Sequence, residues 1–271
     1  SSREMLGQLY LLNRNYIEAE NQFLVLSHLD QDNDDYLSIL GDIAKIQQQW
    51  NKSIDFFLDA YRINPQNFKV LENAMQVCFT AELFKKAEGV CKLLVQFEPN
   101  NNSYWLTYKQ ITSYNKNYNI TLEAIAELER INGKSIKLSL EKSAIMQELN
   151  KIDEAIKLLV EVHNPDSANI NIVERLVSMF LETENFIDAD IFNKILLNEF
   201  SDSPSGYINA AIISLNNDMP EKAIKYIEPV IDKYDNNYSA LYLLGTSFFQ
   251  IKDLSNAEKY LKQSLKIYPQ S

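Results

Sequence analysis

His28 and His163, with Cys78 and Cys91, are the only histidines and cysteines in this 271-residue chain, and their spacing limits what chemistry they could do. The two histidines lie far apart, and no Ser-His-Asp or Cys-His pattern surrounds either of them. The cysteines are thirteen residues apart with no histidine near, which fits no zinc spacing. They read as two thiols packed like small apolar side chains, or as a disulfide that would need an oxidising compartment. Asp30, Asp32 and Asp34 alternate as the ligands of a calcium loop do. That loop requires Gly at its sixth position and Glu at its twelfth, where Asp35 and Gly41 stand. The run therefore reads as a linker supplying helix N-caps and acidic first-turn residues. The six glycines are scattered, so no phosphate-cradling loop exists. The expectation is a chain with no catalytic residues, no cofactor and no metal.

Charge narrows the partners. Thirty-seven acidic against 26 basic residues give a net charge of −11. A nucleic-acid binder needs a basic face that displaces counterions, so nucleic acid is not expected as a partner. No apolar run approaches the ~20 residues of a membrane span. Soluble residence in cytoplasm or periplasm both fit, and nothing chooses between them. Four Asn-x-Ser/Thr triplets occur in an Asn-rich chain, where chance supplies them.

The elements that would position any site follow from one spacing. Ala19, Ser53, Ala87, Thr121, Ala155, Ala189, Ala223 and Ala257 recur every 34 residues. Tyr16, Trp50, Phe84, Tyr118, Ile152, Phe186, Pro220 and Leu254 keep the same step three residues earlier. Between these marks the apolar residues follow helical spacing, as in Leu241, Leu244, Gly245 and Phe248, and then Ala257, Leu261 and Ser264 after a turn at Lys252-Asp253. Each unit is thus two antiparallel helices and a short turn. Gly in the first helix and Ala in the second mark where the paired helices approach closely. The aromatic or aliphatic residue three before the Ala starts the second helix. Pro220 suits that slot, whereas Pro229 falls inside a helix and is expected to bend it.

Leu241, Leu244-Gly245, Phe248, Ala257, Leu261 and Pro269 resemble the tetratricopeptide repeat pattern. Leu6-Gly7, Tyr10, Ala19 and Phe23 match it in the first repeat, and Leu40-Gly41, Phe57, Ala60 and Pro65 in the second. Eight repeats fit without insertion: 1–33, 34–67, 68–101, 102–135, 136–169, 170–203, 204–237 and 238–271. The resemblance implies an all-α, right-handed α-solenoid superhelix forming a single array, with the first helices lining a concave groove. Because no polar capping helix follows Pro269, the array is expected to continue beyond this segment, and end-to-end self-association is expected if it does not.

The residues expected along that groove are Asp42, Lys69, Asn73, Gln76, Gln110, Tyr114, Glu141, Arg175, Asn209, Tyr242 and Thr246. Lys45, Glu72, Phe79, Glu148, Glu174 and Phe249 extend the same stripe. Amides and aromatics suit an extended peptide or a partner helix, and the acidic excess favours a basic or neutral one. Two specialisations of the family fit poorly. The clamp that captures chaperone carboxylates would use Lys69 and Asn73, but Asp42 opposes them and Thr107 follows. An Asn ladder would occupy Met5, Ile39, Asn73, Thr107, Glu141, Arg175, Asn209 and Leu243, where only two are Asn. The chain therefore reads as a non-catalytic interaction scaffold, with the recruiting arm of a larger enzyme or secretion assembly as the alternative.

Overall fold

Helix starts in this chain are set by short polar caps and by the bulky series that runs from Tyr16 to Leu254. The computed structural model describes residues 1–233 and 237–270; part of the expected seventh repeat and residue 271, the expected end of the eighth, lie outside them. Sixteen helices run in order: α1 (Ser2–Leu12), α2 (Tyr16–Leu29), α3 (Asp34–Ile46), α4 (Trp50–Ile63), α5 (Lys69–Thr80), α6 (Phe84–Phe97), α7 (Asn102–Tyr114), α8 (Tyr118–Asn132), α9 (Ile136–Glu148), α10 (Ile152–Val162), α11 (Ile170–Glu182), α12 (Phe186–Glu199), α13 (Pro204–Asn216), α14 (Pro220–Lys233), α15 (Tyr238–Gln250) and α16 (Leu254–Ile267). The described residues contain no strand, and no helix among them is long and apolar enough to cross a membrane. The bulky series supplies the first residue of every even-numbered helix.

Apart from α5, the odd-numbered helices are capped by Ser or Asn. Ser1, Asn33, Asn101, Ser135, Asn169, Ser203 and Asn237 each accept a backbone N–H of the following turn, satisfying a donor that has no intrahelical partner. By period Asn67 would cap α5. Its side-chain amide instead donates to Asp34 Oδ2 at 2.7 Å, and α5 starts behind Phe68 with no side-chain cap. Asp34 also accepts from Asn64 at 3.2 Å, so part of the alternating aspartate run ties the start of α3 to the chain just after α4, within the second repeat.

Each hairpin turn contains one left-handed residue, and none is glycine. Arg14, Gln48, Glu82, Lys116, Asn150, Glu184, Asp218 and Lys252 all have φ between 55° and 65°, at steps of 34. The residue after each donates back to the odd helix, as Asn15 N–H does to Tyr10 O and Gln49 N–H to Ala44 O, both at 2.8 Å. These 6→1 bonds hold a backbone conformation that side chains other than Gly disfavour.

Contacts divide the chain into two compact units, Ser1–Lys134 and Ser135–Ser271, of four helical hairpins each. Within each unit every helix packs on its neighbours in sequence. In the second unit the odd helices also approach one another, α9 to α11, α11 to α13 and α13 to α15; in the first unit they do not approach in this way. The Ala series is buried at all eight positions. Where Ser53 replaces Ala, its hydroxyl donates to Gly41 O at 2.7 Å, and where Thr121 does, its hydroxyl reaches Thr112 Oγ1 at 3.0 Å. Buried hydroxyls are tolerated there because they are hydrogen-bonded. Gly41 is required by close approach: a Cβ on it would lie 2.6 Å from the buried Phe57 ring.

Of the candidate chemical groups, the two cysteines are absorbed by this packing, while His28 stays exposed. Cys78 and Cys91 are buried free thiols, and burial pushes them up to about 11 and about 12, far from the thiolate form. His28 lies in the last turn of α2, and His163 ends α10 with its ring edge-on to Phe192 at 5.6 Å. Pro220 opens α14, which runs through Pro229 to Lys233.

Candidate functional site

Every residue expected in the groove falls on an odd-numbered helix. Asp42 lies on α3, Lys69, Asn73 and Gln76 on α5, and Gln110 and Tyr114 on α7. In the second unit Glu141 lies on α9, Arg175 on α11, Asn209 on α13, and Tyr242 and Thr246 on α15. The stripe thus divides six and five between the two units.

In the first unit long side chains span from one odd helix to the next. Lys45 Nζ donates to Gln76 Oε1 at 2.6 Å, joining α3 to α5. The Tyr104 hydroxyl donates to Glu72 Oε1 at 2.9 Å, joining α7 to α5, and Lys69 Nζ reaches the other oxygen at 2.7 Å. The Lys69 hydrogen bond holds the Glu72 carboxyl below its usual range, with Tyr104 adding to it against the opposing effect of burial. Burial, followed by the Glu72 hydrogen bond, pushes the Tyr104 phenol up to about 12. Asp42 is raised by partial desolvation although it still reaches solvent, and Lys45 pulls it back. Lys69 is thus engaged by a neighbouring carboxylate, a state that does not suit capture of an anionic tail.

Asn73 is half-buried and Gln110 exposed, and neither side chain makes a hydrogen bond within the described residues. Their amides are open to a partner. At the turn end of the same face Tyr114 packs on Phe84 with ring centroids 4.5 Å apart, and Phe84 meets Phe79 at 6.3 Å. Phe84 is fixed as the first residue of α6, so Phe79 and Tyr114 flank a seated ring while remaining open to solvent themselves.

The second unit has links of its own. Arg175 Nη2 donates to Gln147 Oε1 at 2.6 Å, and Gln147 in turn donates to Glu182, tying α9 to α11. Arg175 Nε is buried with no partner among the described residues. Glu174 is occupied by the hydroxyls of Ser203 and Ser205, at 3.3 and 2.6 Å. Thr246 donates to Tyr242 O at 3.0 Å and so spends its donor on its own helix. Tyr242 stacks on Tyr238 with centroids 6.3 Å apart. Glu141 and Asn209 are half-buried. Phe79 and Phe249 extend the stripe beyond its eleven positions, and their aromatic type is the signal that marks them. Phe84 carries no such mark, since the sequence shows it only as a helix start.

Residues 211–271 match the tetratricopeptide repeat family. No curated protein matches the sequence. Among solved structures, a chain of the Naa15/Naa10 structure bound to HypK-THB is similar over 100% of this chain and 42% of its own, at 11% identity and TM-score 0.67. PilW, a widely conserved type IV pilus biogenesis factor, is similar over 76% of this chain and 96% of its own, at 14% identity and TM-score 0.54. The APC/C hetero-tetramer Cut9–Hcn1 gives 94% and 51%, 14% identity and TM-score 0.51. This chain spans less than half the length of the first. At such identities the likeness is one of fold.

Proposed function

We propose that this chain, whose residues 211–271 match the tetratricopeptide repeat family, is a non-catalytic interaction scaffold. Within each unit, the odd-helix stripe would dock a peptide or partner helix. One observation carries the reading. Four of the five exposed large aromatic residues among the described residues lie on odd helices: Tyr114 (69% exposed), Phe249 (61%), Tyr242 (46%) and Phe79 (44%). Leaving such rings in water is unfavourable unless something covers them, and rings beside open amides are what an interface hot spot is built from. The acidic groups of the stripe favour a basic or neutral partner.

The test is comparative capture. Wild type and a Phe79→Ala/Gln110→Ala/Tyr114→Ala variant are immobilised and exposed to extract of the source organism, with bound proteins read by mass spectrometry. A partner retained by wild type and lost by the variant, at equal circular dichroism, is the expected result. Identical capture by both would sink the stripe as the docking face in the first unit. The second reading, a recruiting arm of a larger assembly, is favoured by the Naa15/Naa10 likeness, where the matching fold is 42% of a longer chain.

A further inference from the structure

Helix α6 contains a glycine that its own fold does not require. A Cβ on Gly89 would meet no atom within 4 Å, whereas Gly7, Gly41 and Gly245 each face a side chain closer than 3.0 Å. Gly89 has an ordinary helical backbone, so neither crowding nor a left-handed turn explains it. A glycine in a helix interior weakens the helix relative to almost any other residue. What it provides is a notch, where another chain can reach the backbone of α6.

Grooves open on both sides of that notch. Between α4 and α6 lies one of about 530 Å³, whose apolar floor includes Leu58, Tyr61, Val90 and Leu93. Between α6 and α8 lies another of about 500 Å³, reaching Tyr108 and Ile120. Lys85 lines both grooves and Lys92 the second, so exposed lysines stand before and after Gly89 on one helix. Four cations, Arg62, Lys85, Lys86 and Lys92, line the two grooves against two anions, Asp55 and Glu88. Asp55 pairs with Lys86 at 3.2 Å, Asp59 pairs with Arg62, and Glu88 accepts from Asn115 and Asn117 at 2.7 Å. Among the described residues neither Lys85 nor Lys92 has such a counter-ion. In a chain of net charge −11, this face is locally cationic.

We propose that the even-helix face of the first unit docks an acidic peptide segment laid across α6 at Gly89. Its carboxylates meet Lys85 and Lys92, and a large apolar side chain enters the groove over Leu58 and Leu93. Charge complementarity selects the occupant, since an acidic strand gains from both lysines and a basic one is repelled. The missing Cβ lets its backbone lie against the helix. This face is distinct from the odd-helix stripe and does not depend on it, and it prefers ligands of opposite charge.

The test uses a random dodecapeptide library displayed on phage, selected on the whole chain and on its Gly89→Gln variant. Gln favours helix and points into open space, so the variant should melt roughly 2 °C higher. Peptides captured by wild type and lost on Gly89→Gln should be rich in Asp and Glu with Leu or aromatic residues. A representative peptide should bind about tenfold more weakly to Lys85→Glu/Lys92→Glu, weaken as salt rises, and be indifferent to Tyr114→Ala. The proposal is overturned if no peptides are lost, if those lost are basic or uncharged, or if Gly89→Gln melts below wild type.

Discussion

The second and third repeats fill the same space from opposite sides. In the second, Gly41 on the odd helix faces Phe57 on the even one; in the third, Met75 stands at the glycine position and Cys91 at the phenylalanine position. Both arrangements are buried, with Phe57 and Cys91 at 0% exposure and Met75 at 7%. Gly7 with Phe23, Ala211 with Ile227 and Gly245 with Leu261 follow the second repeat's pattern. The helix pair therefore keeps a summed volume across two positions sixteen apart and does not insist on a glycine. A pattern that scores Gly alone would class the third repeat as degenerate, although its packing is complete.

Exchanging the two solutions is the severest trial of that equivalence. Gly41→Met should cost about 3 kcal/mol, because the Phe57 ring has nowhere to go. Phe57→Cys alone should cost about as much, through the cavity it leaves. Combined, they imitate the third repeat and should recover more than half of the summed loss in urea unfolding. Simple additivity in the double variant would show that the positions do not exchange volume. Next in size is Ser53→Ala, which removes the hydroxyl bonded to Gly41 O and should cost about 1 kcal/mol; no change would mean the second repeat needs only smallness there, as the third does with Ala87. A smaller effect, of opposite sign, is expected in the turns. Gln48→Gly should stabilise by roughly 0.5–1 kcal/mol, and Asn150→Gly by less, because Asn already tolerates the left-handed conformation.

The smallest effect at neutral pH concerns the third repeat's thiols. Their pKa values are raised by burial, so the stability they contribute is fully present below the unfolded thiol range and is lost as pH climbs toward about 11 and 12. Folded protein at pH 8 should react with a thiol reagent at least ~100-fold more slowly than urea-unfolded protein. Rapid labelling of both cysteines would mean that the third repeat is less tightly filled than the second.

Much of this was legible in the residues. The series from Tyr16 to Leu254 marks the first residue of all eight even helices, because a bulky residue there, whatever its type, is partly covered in every repeat but the last, where Leu254 is exposed. The Ala series survives replacement by Ser53 and Thr121 for the same reason: it reads volume. The left-handed turn residues were not legible, since Arg, Gln, Glu and Lys carry no φ > 0 signal and are held there by backbone bonds. The stripe was legible as positions on odd helices, but its cross-links were not. Lys45 with Gln76, and Glu72 with Tyr104, are about one period apart, and only the packing of consecutive hairpins decides which long side chains meet. The face around Gly89 was unreadable for a related reason. A lone glycine in a helical pattern looks like a packing residue until the space in front of it is known.

The packing of each hairpin on the next within a unit has a mechanical corollary. Ties such as Lys86 to Asp55 and Tyr104 to Glu72 cross from one hairpin to the next at nearly constant chain separation, so a pulling force reaches them one at a time. A unit built this way should behave as a spring with serial, similar detents. Stretched from its ends, it should yield in steps of one repeat, each releasing about 34 residues, or roughly 11 nm of contour length.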